Sequence, residues 1–152
     1  MWLRPKEDWI GIAIVGVVAT VIALWCSPAK AEAIPLTVGQ HERIAPNFTA
    51  KEFWCKCGKC KGKQERLDGT LLYRLELLRI ELEGRPIVVT SGMRCKERNK
   101  QVGGAKHSQH MSGKAADIKV VGVSMSRLTK AAKKVGFTFV KSYSDHVHVD
   151  VR

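Results

Sequence analysis

The sequence predicts an α+β fold, in which helices come early in the chain and the strands of a small, antiparallel sheet come late. Leucines recur at helical spacing between positions 71 and 82. Short apolar segments typical of strands lie at 87–90, 118–121, 137–140 and 146–151. The length of 152 residues leaves room for one domain after an N-terminal segment.

Capping signals mark the starts of the predicted helices. Thr49 and Glu52 have the spacing of a capping box, with a phenylalanine on each side placed to form a hydrophobic staple. Asp68 is expected to cap the leucine-rich helix, and Ser124 or Ser126 a later one. The leucine-rich helix is interpreted as core without a chemical role.

The first 33 residues are predicted to be a signal peptide or a membrane anchor. Residues 9–26 carry no charge and follow a basic flank, and a small-x-small site ends at Ala33. Cleavage after Ala33 is preferred; a retained anchor is the alternative, because an apolar helix of this length nearly spans a bilayer. Residues 34–46 are expected to be a linker and residues 47–152 a domain in the periplasm, in the cell wall or outside the cell.

The formal net charge of +12 belongs to the predicted exported part, because the first 33 residues hold equal numbers of basic and acidic side chains. A basic exported domain is attracted to anionic wall polymers and anionic lipid. The alternative is that the charge only keeps the domain soluble. Nucleic acid is not expected as a partner, since export argues against it. A membrane is expected to be contacted only through an uncleaved N-terminal segment.

Four cysteines remain if Cys26 is removed with a signal peptide: Cys55, Cys57, Cys60 and Cys95. An even number in a small exported domain favours two disulfides. The competing interpretation is a structural zinc ion held by all four thiolates, since closely spaced thiolates suit a tetrahedral metal.

Histidine and acidic residues fall into two clusters. In the segment SDHVHVDVR, alternate residues of a strand share a face, so His146, His148 and Asp150 are expected to point away from the core. A polar edge strand is the alternative. In the segment KHSQHMSGKAADIKV, His110 is followed seven residues later by Asp117, which is expected at the entry of a strand. Two imidazoles and one carboxylate are a common zinc-binding set.

The segment from Ser108 to Asp117, SQHMSGKAAD, resembles the SxHxxGxAxD pattern of zinc D-alanyl-D-alanine carboxypeptidases and related peptidoglycan peptidases. An arginine sixteen residues before the histidine, here Arg94, is part of the same pattern, as is an acidic residue three positions before a last histidine, here Asp145 and His148. The resemblance covers essentially the whole predicted domain. It implies a D-Ala-D-Ala carboxypeptidase or hedgehog-like α+β fold, one zinc ion, and peptidoglycan stem peptides as substrates.

The resemblance also implies roles for individual residues. His110, Asp117 and His148 correspond to the metal ligands and Asp145 to the general base. We expect Asp145 in the turn before the last strand, from which it can face the same site as His148. Arg94 corresponds to the group that binds the substrate carbonyl or carboxylate.

Further roles remain open at this stage. Some members of the family have a histidine two residues before the base, where this chain has Tyr143, so the proton donor is Tyr143, His146 or the base itself. Asp150 is expected to hold His148 through its second ring nitrogen. Ser108 either hydrogen-bonds substrate or caps a turn.

Hydrolysis of stem-peptide bonds is therefore the preferred function, with carboxypeptidase and endopeptidase activity left open. A catalytically silent cell-wall-binding module of the same fold is one alternative. A nucleic-acid-binding zinc module built on CKCGKCKGK is another, but the export signal and the lack of stacking aromatics argue against it.

Overall fold

The computed structural model describes Ile34–Pro35, residues 42–60 and residues 66–152. The predicted signal peptide or anchor, residues 1–33, lies outside this part of the chain. Within the described residues, no helix is long and apolar enough to cross a membrane.

The described residues contain eight strands and four α-helices. The strands are β1 (Ile34–Pro35), β2 (Arg43–Ala45), β3 (Phe48–Thr49), β4 (Arg66–Leu67), β5 (Ile87–Ser91), β6 (Ala115–Val120), β7 (Phe139–Ser142) and β8 (Val147–Asp150). The helices are α1 (Ala50–Phe53), α2 (Gly69–Glu81), α3 (Lys96–Gln101) and α4 (Met125–Lys134), with a 3-10 helix at Gln109–Ser112. The predicted α+β class is confirmed.

The main sheet has four antiparallel strands in the order β5-β6-β8-β7. Two smaller antiparallel pairs, β1 with β4 and β2 with β3, lie outside it. The segment expected to be an irregular linker, residues 34–46, therefore contains two short strands, each of which pairs with a strand of the predicted domain.

Strand β6 begins three residues before the predicted start at 118. Ala115 and Ala116 are fully buried and pair with Asp150 and Val149 of β8. Alanine has little preference for strands, so this pairing with β8, and not local propensity, starts the strand early. Asp117 consequently lies inside β6, and the expectation that it sits at a strand entry is wrong.

The predicted caps form as expected. The Glu52 carboxylate accepts from the Thr49 backbone N–H at 2.7 Å, and the flanking Phe48 and Phe53 rings pack edge to face with centroids 5.8 Å apart. Asp68 Oδ1 accepts from the first free N–H groups of α2 at 2.8 and 3.3 Å. These contacts set where α1 and α2 begin.

The core lies between α2, α4 and one face of the main sheet. The α2 leucines at 71, 72, 75 and 78 are fully buried, as are Val147 and Val149 of β8. Each such side chain contributes about 1.5–3 kcal/mol relative to exposure. The opposite faces of β6 and β8 are thereby left to carry Asp117 and His148.

One buried charge on α2 has no counterpart in the sequence interpretation. Glu76 is 1% exposed, and its carboxylate accepts from the Asn47 backbone at 2.8 Å and from the Asn47 side chain at 2.7 Å. These bonds replace the water that the carboxylate loses on burial. They also hold the β2–β3 turn against the leucine-rich helix.

Candidate metal centre

Three side chains from different elements meet at one point on the sheet. His110 Nε2 lies 3.2 Å from Asp117 Oδ1 and 3.2 Å from His148 Nδ1, and the last two atoms are 2.9 Å apart. His110 and Asp117 are buried, and His148 is partly buried. The structure thus brings together the three residues predicted as metal ligands.

The antiparallel register places two of these residues. Asp117 of β6 is directly opposite His148 of β8, so both side chains leave the same face of the sheet. Ser91, at the end of β5, pairs with Asp117 on its other side. The carboxylate is therefore held in the middle of the sheet, on rigid backbone.

His110 is positioned by the 3-10 helix and by a backbone acceptor. Its Nδ1 donates to the Gly92 carbonyl at 2.6 Å, and its own carbonyl accepts from the Arg94 N–H at 3.1 Å. Because a carbonyl only accepts, the proton of a neutral His110 ring is on Nδ1, and the lone pair of Nε2 faces Asp117 and His148.

Asp150 orients the other imidazole. Its Oδ2 lies 3.5 Å from His148 Nε2, which favours a proton on that nitrogen and a lone pair on Nδ1, as expected for this pair. Asp150 is almost completely buried, and Arg152 binds both of its oxygens at 2.9–3.3 Å. The prediction that Asp150 shares an open strand face with His148 therefore needs correction, because its carboxylate is covered.

The donor set fits a zinc ion. Zn–N and Zn–O bonds of about 2.0–2.2 Å at tetrahedral angles require ligand atoms about 3.3–3.5 Å apart. The three separations of 2.9–3.2 Å are slightly shorter, so a small outward shift would accommodate the ion. Two neutral imidazoles and one carboxylate leave a fourth position for water or substrate.

Asp117 is kept ionised by its neighbours. Burial acts to raise the pKa of this carboxyl group, but hydrogen bonds from His110 and His148 and the charge of Arg94 outweigh it and hold the pKa well below its usual range. Arg94 Nη2 donates to Asp117 Oδ2, and Arg94 Nε donates to Ser91 Oγ at 2.9 Å. The carboxylate is thus available as a ligand at neutral pH.

An open cleft of about 700 Å³ lies over the three residues. Arg94, His107 and Ser108 line it, together with His110 and the strand residues of the site. Ser108 directly precedes the 3-10 helix, but its side chain does not cap that helix. A substrate-facing hydroxyl is therefore the interpretation of Ser108 that the structure favours.

Three further cleft residues were missed by the sequence interpretation: Phe139, Lys141 and Arg152. Phe139 packs edge to face on His148 with centroids 6.0 Å apart, and the Arg152 guanidinium lies 4.4 Å from the Phe139 ring centroid. Their signal was weak, because a polar strand such as β7 is assigned to one face only after its pairing with β8 is known.

The predicted base is joined to the centre through a neighbouring ring. Asp145 is in the bend before β8, as expected, and its side chain is 68% exposed. Its Oδ1 accepts from His146 Nδ1 at 2.7 Å, and His146 Nε2 lies 3.8 Å from Asp117 Oδ1. His146 also stacks on Tyr143, with centroids 4.6 Å apart. His146 and Tyr143 line the cleft, whereas Asp145 lies just behind them.

The four cysteines form a second cluster. Cys55, Cys57, Cys60 and Cys95 are all free, and their Sγ atoms lie within 4.8 Å of one another. The preferred prediction of two disulfides does not agree with this structure. The reason is geometric: the four sulfur atoms gather about one point instead of forming two separate pairs.

Comparison with known proteins supports the same identification. The family model for Peptidase M15 matches residues 46–150. The chain is also 35% identical over 83 residues to the zinc D-Ala-D-Ala carboxypeptidase of Streptomyces albus G. That match covers 51% of this chain and 32% of the relative, so it spans about a third of the relative's length.

The matched residues 46–150 include His110, Asp117 and His148, which the fold brings together at the base of the cleft. The resemblance inferred from the SxHxxGxAxD pattern is confirmed. The chain belongs to the Peptidase M15 family.

Proposed function

We propose that this chain is an exported zinc peptidase that hydrolyses bonds involving D-amino acids in peptidoglycan stem peptides. The observation that carries the proposal is the convergence of His110 Nε2, Asp117 Oδ1 and His148 Nδ1 at the base of an open cleft. Membership of a peptidase family and the name of the Streptomyces albus G relative, a zinc D-Ala-D-Ala carboxypeptidase, support the same assignment.

One zinc ion is assigned to these three residues. When bound, zinc supplies an electrophile for the scissile carbonyl and makes hydroxide available near neutral pH. The chain supplies the geometry: Gly92 and Asp150 orient the two imidazoles, and Arg94 holds the carboxylate of Asp117. This positioning keeps all three donor atoms aimed at one point before a metal or substrate arrives.

Arg94 is assigned to binding the substrate. It lines the cleft beside Asp117, and its guanidinium is already oriented through Nε and Nη2 by Ser91 and Asp117. A planar guanidinium fork suits a terminal carboxylate, and it also stabilises charge that develops on a carbonyl oxygen. Removal of a C-terminal D-alanine is therefore the reaction we expect first.

Proton transfer is assigned to the pair Asp145 and His146. His146 Nε2 faces the cleft, and Asp145 accepts the proton of His146 Nδ1 at 2.7 Å. This hydrogen bond, supported by the charge of Lys119, holds the pKa of Asp145 below its usual value. In the pair, the imidazole exchanges the proton at Nε2 while the carboxylate orients the ring and balances its charge.

The charge of the cleft suits an anionic peptide. Arg94, Lys141 and Arg152 are part of its lining, and the chain as a whole has a net charge of +12. Stem peptides end in a carboxylate and belong to an anionic wall, to which a basic domain is drawn.

The test uses the full chain with bound zinc, incubated with a synthetic stem pentapeptide ending in D-Ala-D-Ala and with purified peptidoglycan. Products are identified by mass spectrometry. We expect release of one terminal D-alanine, abolished by chelator, restored by added zinc, and absent in His148→Ala. A cut inside the peptide would make the enzyme an endopeptidase, which keeps the proposal of stem-peptide hydrolysis.

Asp145→Asn and His146→Gln test the proton-transfer pair. Glu83→Gln is the matched control, because the Glu83 side chain is also 68% exposed and also paired with a surface cation, here Arg127. We expect both site variants to lose activity by about 10²–10⁴-fold and the control to keep it. If only Asp145→Asn were inactive, the carboxylate would act directly.

A chain that holds zinc at this centre but releases no product from either substrate would overturn the proposal. The silent cell-wall-binding module would then take its place, and cosedimentation with purified peptidoglycan would test that function.

A further inference from the structure

The four cysteines lie outside the peptidase centre and have no part in the proposed reaction. Cys55, Cys57 and Cys60 follow α1, and Cys95 lies forty residues further on at the start of α3. In spite of this separation in sequence, the four Sγ atoms all lie within 4.8 Å of one another.

The arrangement of the sulfur atoms fits a tetrahedral metal. Four Zn–S bonds of about 2.3 Å at tetrahedral angles place the sulfur atoms about 3.8 Å apart. All six separations in the cluster fall within the 4.8 Å limit, so small movements would bring each sulfur to bonding distance of a common centre. Two disulfides would instead bring the sulfur atoms together in two pairs about 2.05 Å apart.

Backbone N–H groups point at the sulfur atoms. Cys57 Sγ accepts from the N–H groups of Lys59 and Cys60 at 3.3 and 3.2 Å. Gly58 makes this tight turn possible, because its φ of +72° lies in the left-handed region that favours glycine. The C-x-x-C turn thus wraps around the sulfur of its first cysteine.

The other two interactions of this kind join the distant parts of the cluster. Cys55 Sγ accepts from the Cys95 N–H at 3.4 Å, and Cys95 Sγ accepts from the Arg98 N–H at 3.3 Å. N–H donors directed at sulfur stabilise thiolates, which are the form that binds metal.

The local structure also needs a source of stability. None of residues 55–60 is buried, so this segment has no apolar side chain in the core. A bound metal would supply the free energy that orders such a segment, as it does in small metal-dependent modules. The anchor at Cys95 directly follows Arg94, whose guanidinium contacts Asp117.

We propose that Cys55, Cys57, Cys60 and Cys95 bind a second zinc ion with a structural role, separate from the ion at His110, Asp117 and His148. The cluster fixes the loop after α1 to the start of α3. In doing so it holds the backbone of Arg94 at the edge of the cleft.

The first test counts metal in the full chain purified from zinc-supplemented medium. We expect about two zinc ions per chain, and about one in each of Cys57→Ser and His148→Ala. Cys26→Ser, a cysteine substitution outside the cluster, serves as the matched control and is expected to keep both. Zinc content unchanged in Cys57→Ser would overturn the proposal.

Cobalt substitution identifies the ligands independently of activity. A thiolate-bound Co²⁺ gives a sulfur-to-metal charge-transfer band in the near ultraviolet, which nitrogen and oxygen ligands do not give. The band is expected in the full chain and in His148→Ala, and its loss is expected in Cys57→Ser. The band thus reports on the cysteine cluster even if the peptidase proposal fails.

Thiol titration in denaturant and chelator tests the disulfide alternative. The chain has five cysteines, and we expect all five to react. Reaction of Cys26 alone would show two disulfides and overturn the proposal. Five reactive thiols in a protein whose cluster binds no metal would overturn it as well.

A second substitution covers the case in which Cys57→Ser does not fold. Cys57→His replaces one zinc ligand with another, so we expect a folded chain that keeps about two zinc ions with a weaker charge-transfer band on cobalt substitution. A folded Cys57→His chain with one zinc ion and an unchanged band would contradict the assignment of Cys57.

Discussion

Replacement of Gly113 by alanine is expected to destabilise the fold where the metal centre is built. Gly113 has φ of +71° and ends the 3-10 helix that carries His110. A Cβ atom there would lie 2.1 Å from the Arg66 carbonyl oxygen and 3.2 Å from the Leu67 Cα. Its own carbonyl accepts from the Asp68 N–H at 3.0 Å, so the two segments cannot separate without breaking this bond.

The magnitude follows from two terms. The left-handed backbone costs a residue with a side chain about 1–2 kcal/mol. Relief of the contact with the Arg66 oxygen requires a backbone shift of about 1 Å, and overpacking of this kind costs about 1–3 kcal/mol. Gly113→Ala should therefore lower the free energy of unfolding by about 2–5 kcal/mol. The shift also separates His110 from Asp117, so zinc affinity should fall.

The assay is urea unfolding of the full chain at fixed free zinc, with Gly84→Ala as the matched control. Gly84 also has a left-handed φ, +76°, but a Cβ there meets no atom within 4 Å. The control should lose only the backbone term, about 1–2 kcal/mol. If the two variants differed by less than about 0.5 kcal/mol, the close packing of Gly113 against β4 would be refuted.

Three further predictions address single contacts. Asn47→Ala leaves the buried Glu76 carboxylate without its side-chain donor, so the free energy of unfolding should fall by about 1–3 kcal/mol in the same urea assay; no change would mean that water takes the place of the amide. Arg94→Lys keeps the charge but loses the fork, so kcat/KM for a stem peptide should fall about 10²-fold with zinc content unchanged, and full activity would remove Arg94 from the substrate site. Asp117 has a folded-state pKa below its unfolded value, so its stabilising contribution is present above about pH 4 and is lost as the pH falls through the folded value. The difference in unfolding free energy between wild-type and Asp117→Asn chains, measured without metal, should therefore shrink on acidification, and a difference that grows would have the wrong sign.

Local signals in the sequence predicted much of the fold. The capping box at Thr49, the cap at Asp68 and the leucine spacing of α2 depend on residues close together in the chain, and all three are present in the structure. The start of β6 was missed, because Ala115 and Ala116 have no strong strand preference and take their conformation from β8.

Contacts between distant residues explain the other differences. Asn47 and Glu76 are separated by 29 positions, and neither has a pattern that indicates the other. The cysteines are a similar case: their number allowed disulfides or metal, and only the approach of Cys95 to the earlier three distinguishes one centre from two pairs.

The metal centre was predictable to a greater extent because its pattern combined several separated elements in a fixed order. The sequence interpretation named His110, Asp117 and His148, and the structure brings them within 3.2 Å of one another. It did not anticipate that His146 lies between Asp145 and the cleft, because the side-chain directions in a bend do not follow strand alternation.

The most direct test of the central claim is anomalous X-ray scattering at the zinc absorption edge from crystals of the zinc-bound chain. We predict an anomalous peak about 2.0–2.2 Å from each of His110 Nε2, Asp117 Oδ1 and His148 Nδ1. Absence of a peak there at full zinc loading, or a peak bound by other histidines such as His107 and His146, would contradict the claim that these three side chains form the zinc centre.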